Sequence, residues 1–431
     1  MQCGLQRVFW PSPPQRRDCE VTVTMRLLLI MILAAALTAW SAPISHADST
    51  AEDPMLFSGA SDASAAVLIS PDSFIVGDDE SDVLRAYKTQ GGPAPVAECD
   101  LRAFLNTDIK RPEADIEGAA AAGRRIYWIT SHGRNADGDL RLGRRRFFAT
   151  ETILTSAGLY IRPVGVPCNT LLDEMLKTPG LSELGLQEAA GTVSSPDGIE
   201  AARVARLQAP VAAPRPDALG KKKPKNQKQK KGNVEKKNNR PELAPKRMGL
   251  NIEGLAASQD GTMLYIGFRN PLVQGKTNGK RNALIVPLLN PAAVVEKGDS
   301  PRFDRPILMD LDRRGIRDMV YSPLHKKYFL IAGPYDEGYD FALYAWSGAA
   351  ESAPNLIHQF QKDPLRFHPE GIAAFPDSPK LLLISDDGTL PVRVSDPSEC
   401  LEGKQGSDGT CLNKHLKNPA LRSFRATWYQ P

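Results

Sequence analysis

Five segments of the chain repeat one order of residues: an acid, a short run of small or aliphatic residues, a turn, and a second apolar run closing on a polar or glycine position. They read "DASAAVLISPDSFIVGDDE" (62–80), "DIEGAAAAGRRIYWITSHG" (115–133), "NIEGLAASQDGTMLYIGFRN" (251–270), "DMVYSPLHKKYFLIAGP" (318–334) and "HPEGIAAFPDSPKLLLISDDG" (368–388). The units start at Asp62, Glu117, Glu253, Asp318 and Glu370, with the register of the first open between Asp62 and Ser64. From Asp62 to Asp78 is 16 residues, Glu117 to His132 is 15, Glu253 to Arg269 is 16, and Glu370 to Asp386 is 16. The turns are explicit at Pro71-Asp72, Gly123, Asp260-Gly261, Pro323 and Pro376-Asp377-Ser378. Apolar runs of four to six residues between such turns are buried strands.

Adjacent units start 55, 65 and 52 residues apart (62 to 117, 253 to 318, 318 to 370). A period of that size made of a few antiparallel strands points to blades set around an axis. The expectation is therefore an all-β fold, a single β-propeller over about residues 55–430. The longer gap from Glu117 to Glu253 holds a helical pattern, "TLLDEMLKTPGLSEL" (170–184), and "SPDGIEAA" (195–202), which resembles "HPEGIAA" without the strand that should follow. Counting that segment as a decayed unit gives six blades. The domain reading is propeller over 55–186, an insertion over 187–247, and propeller again over 248–431.

Residues 1–47 stand outside this pattern. "MRLLLIMILAAALTAWSAPISHADS" has Arg26, an apolar stretch from Leu27 to Trp40, and small residues at Ser45 and Ala47, the order of a secretory signal cleaved after Ala47. Met25 is the expected start, and a periplasmic or secreted protein without a membrane anchor in its mature chain follows. Four cysteines remain after cleavage. Cys400 and Cys411 flank a polar loop that burial cannot hold, so a bridge across it is expected, with Cys99 and Cys168 as the remaining pair.

The net charge of +4 hides a segregation. Residues 221–237, "KKKPKNQKQKKGNVEKK", carry nine lysines and one glutamate, a local +8. This run has no apolar period and reads as a solvated insertion. Nucleic-acid binding would call for stacking aromatics beside the charge, and none is there. The remainder is acidic, and a monomer is expected.

In a propeller the first strand of every blade lines the central channel. Acids at equivalent positions therefore converge at one mouth, and a glycine beside them permits close approach of backbones. Converging carboxylates either bind a cation or fasten one blade to the next through backbone N–H groups.

The motifs "DASAAV", "EADIEGAA", "ITSHGRN", "NIEGLA", "GFRNP", "GIRDM", "LIAGP", "LYAWSG", "PEGIAA" and "LLISDDG" together resemble bacterial domain-of-unknown-function family 3616, over about residues 56–390 with an interruption at 187–247. That family has no established activity and supplies no catalytic residues. A weaker similarity runs to phytase-like esterase and gluconolactonase-type propellers, in which a Glu-Gly pair opens a blade. The lactonase likeness implies a metal-binding role for Glu117, while the other lactonase ligands, an asparagine and an aspartate, have no clear match.

Oxygen ligands at a channel mouth suit calcium, so Asp62, Glu117, Glu253, Asp318, Glu370 and Asp386 are the candidate metal ligands. His132 is the candidate general acid–base. Arg134, Arg269 and Arg317 are candidates to hold a small anionic substrate. No GxSxG elbow is present to support a serine nucleophile. Two functions fit: a calcium-assisted hydrolase of phosphate, lactone or carboxyl esters, or a non-catalytic propeller that binds a sugar, peptide or cell-envelope ligand.

Overall fold

The computed structural model describes residues 51–107, 113–191, 240–275, 279–360 and 367–431. The proposed signal segment, most of the insertion including the lysine run, and the 195–202 segment lie outside the described residues. Among those described, no helix is long and apolar enough to cross a membrane.

Strand β1 (Met55–Ser58) is set aside for the last blade. Blade one is the meander β2 (Ala63–Ser70), β3 (Ser73–Asp78), β4 (Ser81–Lys88) and β5 (Ala97–Asp100). Blade two is β6 (Ile116–Ala122), β7 (Arg125–Thr130), β8 (Phe147–Thr155) and β9 (Gly158–Cys168). Blade three runs β10 (Asn251–Ala257), β11 (Leu264–Asn270) and, after the short β12 (Val273–Gln274), β13 (Arg281–Leu288), whose outer edge takes β14 (Ile307–Met309). Blade four is β15 (Gly315–Ser322), β16 (Lys327–Gly333), β17 (Ala342–Trp346) and β18 (Asn355–Gln359). Blade five begins with β19 (Pro369–Ala374) and β20 (Leu381–Ser385). A side hairpin follows, β21 (Pro391–Arg393) with β22 (Thr410–Leu412), and then β23 (Ser423–Tyr429) completes the blade by pairing with β20 and with β1.

The propeller has five blades, which corrects the expected six. The innermost strands β2, β6, β10, β15 and β19 each pack beside the next, and β19 returns to β2, so no gap remains for another. Strand β1 closes the ring by lending an N-terminal edge to the C-terminal blade. Five of the six hydrophobic clusters among the described residues fill the seams between adjacent blades, one to a seam, and the sixth is the small core of the side hairpin in blade five. The cluster between blades two and three is the largest. It takes in Leu171, Leu172, Met175 and Leu176 of α1 (Leu171–Lys177) and Leu186, Ala189 and Ala190 of α2 (Leu186–Ala190). The helical pattern thus plugs an interblade seam instead of forming a domain. Packed chain resumes earlier than the sequence suggested, since Leu243 and Ala244 are already buried.

The bridge Cys400–Cys411 is present and ties the side hairpin of blade five. Cys99 and Cys168 are free thiols, which corrects the second expected bridge. Cys99 packs against the cluster between blades one and two, whereas Cys168 packs against the cluster between blades two and three. A whole blade separates the two environments.

Candidate functional site

Each innermost strand breaks register with its neighbour at the same place. Pairing skips Ser64 in blade one, Glu117 in blade two, Glu253 in blade three, Arg317 in blade four and Glu370 in blade five. A bulge leaves the extra residue unpaired and re-aims its side chain. These five residues are therefore the structural equivalents, and they ring one mouth of the channel. The repeat left the first of these positions open between Asp62 and Ser64 and put Asp318 at the fourth; the bulges select Ser64 and replace Asp318 with Arg317.

Asp318 occupies the position taken by glycine in blades two, three and five. Its Oδ2 accepts a hydrogen bond of 2.9 Å from Ile372 N of the next blade, and its Oδ1 accepts one of 2.8 Å from Met319 N. It is an interblade fastener, and burial pushes its carboxyl well above the usual range. At the equivalent glycines there is no room. A Cβ on Gly118 would stand 2.8 Å from Glu253 O of the neighbouring blade, and one on Gly254 would stand 2.7 Å from Ile316 Cγ2.

The ring divides into two halves. In the first, Arg317 reaches both neighbours: Nε stands 2.6 Å from Glu253 Oε2, and Nη2 binds Glu370 Oε1. Arg269 adds Nη1 to Glu253 Oε1 at 3.0 Å and places its other donors on Pro334 O and Asp336 O. Asn251 Nδ2 donates to Glu253 Oε1 at 2.6 Å. Burial alone would raise Glu370, but the Arg317 charge and hydrogen bond, with Arg269 behind them, hold it below its ordinary value. All three Arg269 nitrogens are thus engaged by Glu253 and backbone carbonyls, whereas Arg317 donates from Nη1 and Nη2 to Pro334 O and Glu370 and its Nε is ion-paired with Glu253 without a hydrogen bond.

The second half is short of cations. Glu117 is 8% exposed, and no hydrogen bond or ion pair holds its carboxylate among the described residues. Asp115, two residues earlier in left-handed backbone (φ 65°), accepts Arg144 Nη1 at 2.8 Å, and Arg144 also binds Glu113. Asp79 projects from the turn after β3, and its buried Oδ1 has no partner. One oxygen from each of Asp79, Asp115 and Glu117 lies within 4.8 Å of the others. Burial first, then the neighbouring carboxylates, push Asp79 and Glu117 well above the usual range. Such a buried set is stable either protonated or around a cation.

Asp62 and Asp386 meet in an isolated bridge beside this half. Burial, with the nearby Asp78 charge, pushes Asp62 up to about 7. Asp386 is pushed well above its ordinary value by burial, Glu370 and Asp62. Asp62, Asp79 and Glu80 form a second triplet with oxygens within 4.8 Å, so Asp79 belongs to both.

His132 is placed differently from its expected use. It is buried in left-handed backbone (φ 54°), with Nδ1 2.8 Å from Thr130 O, so Nδ1 carries the hydrogen and donates to the carbonyl. Burial lowers its pKa to about 4 and keeps it neutral, and Nε2 is buried without a partner. Arg134 donates from Nη1 to Gly138 O at 3.1 Å and lies against Gly191 and Arg240. Sequence reasoning assigned no role to Asp115, although it sits in the repeat two residues before Glu117. Arg144 carried no signal at all.

The opposite mouth has another character. There the ends of the innermost strands surround a cavity of about 710 Å³ lined by Ala66, Ala119, Leu255, Met319, Val320 and Ala373.

Residues 237–402 match the family described as "Protein of unknown function (DUF3616)", a span covering blades three and four and the inner strands of blade five. No curated protein matches the sequence. Among solved structures, the β-propeller domain of Myceliophteria thermophila Cps50 (Swd1) is 8% identical, covers 86% of this chain and 83% of its own, and has a TM-score of 0.29. The PQQ-bound aldose sugar dehydrogenase of Streptomyces coelicolor is 11% identical, with 87% of this chain and 98% of that chain covered and a TM-score of 0.34. Likenesses this distant carry nothing about activity.

Proposed function

We propose that this propeller, as an exported protein, holds one calcium ion at its acidic mouth through Asp79, Asp115 and Glu117 and uses it to hydrolyse a phosphate, lactone or carboxyl ester. The observation that carries the reading is the Glu117 carboxylate, buried among other carboxylates with no counter-ion of its own. All the donors are carboxylate oxygens, the set that calcium takes and that softer metals do not prefer. A bound calcium would polarise a phosphoryl or carbonyl oxygen and lower the pKa of a water molecule. Arg144 orients Asp115 by hydrogen bonding, and the Glu253–Arg317–Glu370 network fixes the facing wall.

One observation favours a second reading, a binding propeller without turnover. Arg269 and Arg317 are already ion-paired with Glu253 and Glu370, and His132 is buried and neutral. A sugar or envelope ligand would then meet the ion through hydroxyl or carboxylate oxygens.

Elemental analysis of protein purified without chelator, with turnover of p-nitrophenyl phosphate, an aryl ester and a simple lactone in calcium and in chelator, separates the two. Calcium-dependent turnover supports hydrolysis, and bound calcium without turnover favours the binding module. Absence of both overturns the site.

A further inference from the structure

The second carboxylate triplet already holds a cation, and it belongs to the chain. Lys414 Nζ lies 2.5 Å from Glu80 Oε1 and 3.6 Å from Asp62 Oδ1. These are two of the three members of the second carboxylate triplet, whose third member, Asp79, is shared with the triplet at Glu117. Lys414 is 334 residues from Glu80 in sequence and arrives from blade five, whereas the acids belong to blade one.

The excursion between β20 and β23 delivers it. Cys400–Cys411 staples that excursion, and Asn413 anchors it, donating from Nδ2 to Asp387 O and Ser423 O at 3.1 and 2.6 Å. Lys414 N itself donates to Gly388 O at 3.0 Å. Asp387 is in turn clamped by Arg425, from Nε at 2.8 Å and Nη2 at 2.6 Å. The backbone closes directly on the acid: a Cβ on Gly388 would fall 1.9 Å from Asp62 Oδ1. The ammonium is therefore held over Asp62 and Glu80 by a braced loop, and its position does not depend on a mobile stem alone.

We propose that Lys414 is a tethered counter-cation filling the second of two carboxylate clusters that share Asp79, so that the mouth takes one divalent ion where its acids would otherwise take two. The inference rests on the reading of Asp79, Asp115 and Glu117 as a calcium site. Asp79 gives the coupling its route, because a carboxylate shared by two cation positions binds each less tightly when both are occupied. An ammonium is a point charge with three donors, and it satisfies Glu80 and Asp62 without demanding the six to eight oxygens of calcium.

Calcium titrated calorimetrically into chelator-stripped wild type, Lys414→Met and Lys414→Arg tests this, with melts in chelator to show that each variant is folded. Lys414→Met keeps the stem and removes the charge; it should bind two ions, or one at least tenfold more tightly than wild type. Lys414→Arg should stay at one ion with an affinity near wild type. Equal stoichiometry and affinities within twofold for wild type and Lys414→Met would overturn the role of Lys414 while leaving the calcium site standing. Binding by Lys414→Met but not by wild type would support the counter-cation and overturn calcium occupancy of the native mouth. If neither binds, both readings fall.

Discussion

Arg317 and Glu253 face each other across the seam of blades three and four, Nε to Oε2 at 2.6 Å, each with 4% of its side chain exposed. The same guanidinium reaches Glu370 of blade five, so one cation ties three blades at the axis. Removing one partner of a buried pair leaves the other charge stranded. Arg317→Leu is expected to cost about 3–5 kcal/mol. Urea unfolding in chelator measures it, and a loss below about 1 kcal/mol would show that Glu253 and Glu370 simply protonate.

The three acids assigned different work should separate in thermal melts with calcium and with chelator. Glu117→Gln removes an uncompensated charge, so it should leave the chelated protein as stable or more stable and abolish the calcium response. Asp318→Ala should lower stability by about 1.5–3 kcal/mol in both conditions, since it removes hydrogen bonds to Ile372 N and Met319 N. Glu253→Gln should also destabilise in both, because Arg317 and Arg269 lose their anion. A calcium response that survives Glu117→Gln would exclude this residue as a ligand.

Stability of the metal-free protein should fall as pH rises. Burial and the neighbouring Asp78 raise Asp62 from an ordinary 3.8 to about 7, and Asp79, Glu117 and Asp386 move in the same direction. Unfolded carboxyls release their protons near pH 4, whereas the folded state keeps these protons to higher pH. The folded state therefore binds more protons between about pH 4 and 7, and linkage makes stability decline across that window. Calcium stabilises the ionised carboxylates and should flatten the decline. Melting temperatures that rise from pH 5 to 7.5 in chelator would contradict the raised pKa values.

Non-reducing peptide mapping should recover Cys400 joined to Cys411, with Cys99 and Cys168 alkylated as free thiols. Replacing both bridged cysteines by serine should cost about 2–3 kcal/mol in the chain-entropy picture, since the closed loop is short. A peptide containing Cys99 bridged to Cys168 would refute the separation of the two thiols by blade two.

The propeller itself was legible in the chain, because each blade is local. Apolar runs such as "IYWI" and "LLLI" between turn residues commit neighbouring segments to antiparallel pairing, and an acid before a glycine marked the inner strand in three of five units. Blade number was not legible, because closure depends on whether β19 meets β2 and on β1 joining β23 across the whole chain. The ring of the mouth was half legible. Glu117, Glu253 and Glu370 stand where the repeat put them, but in "GIRDM" the acid and the axial position part company. Arg317 is bulged onto the axis while Asp318 takes the glycine's place and fastens the next blade. A bulge is a property of strand pairing, so no single strand's sequence carries it. The meeting of Lys414 with Glu80 was wholly invisible, because nothing local links a disulfide-stapled excursion in the last blade to a turn in the first. Local patterning determined the strands; closure of the ring decided which charges would face one another.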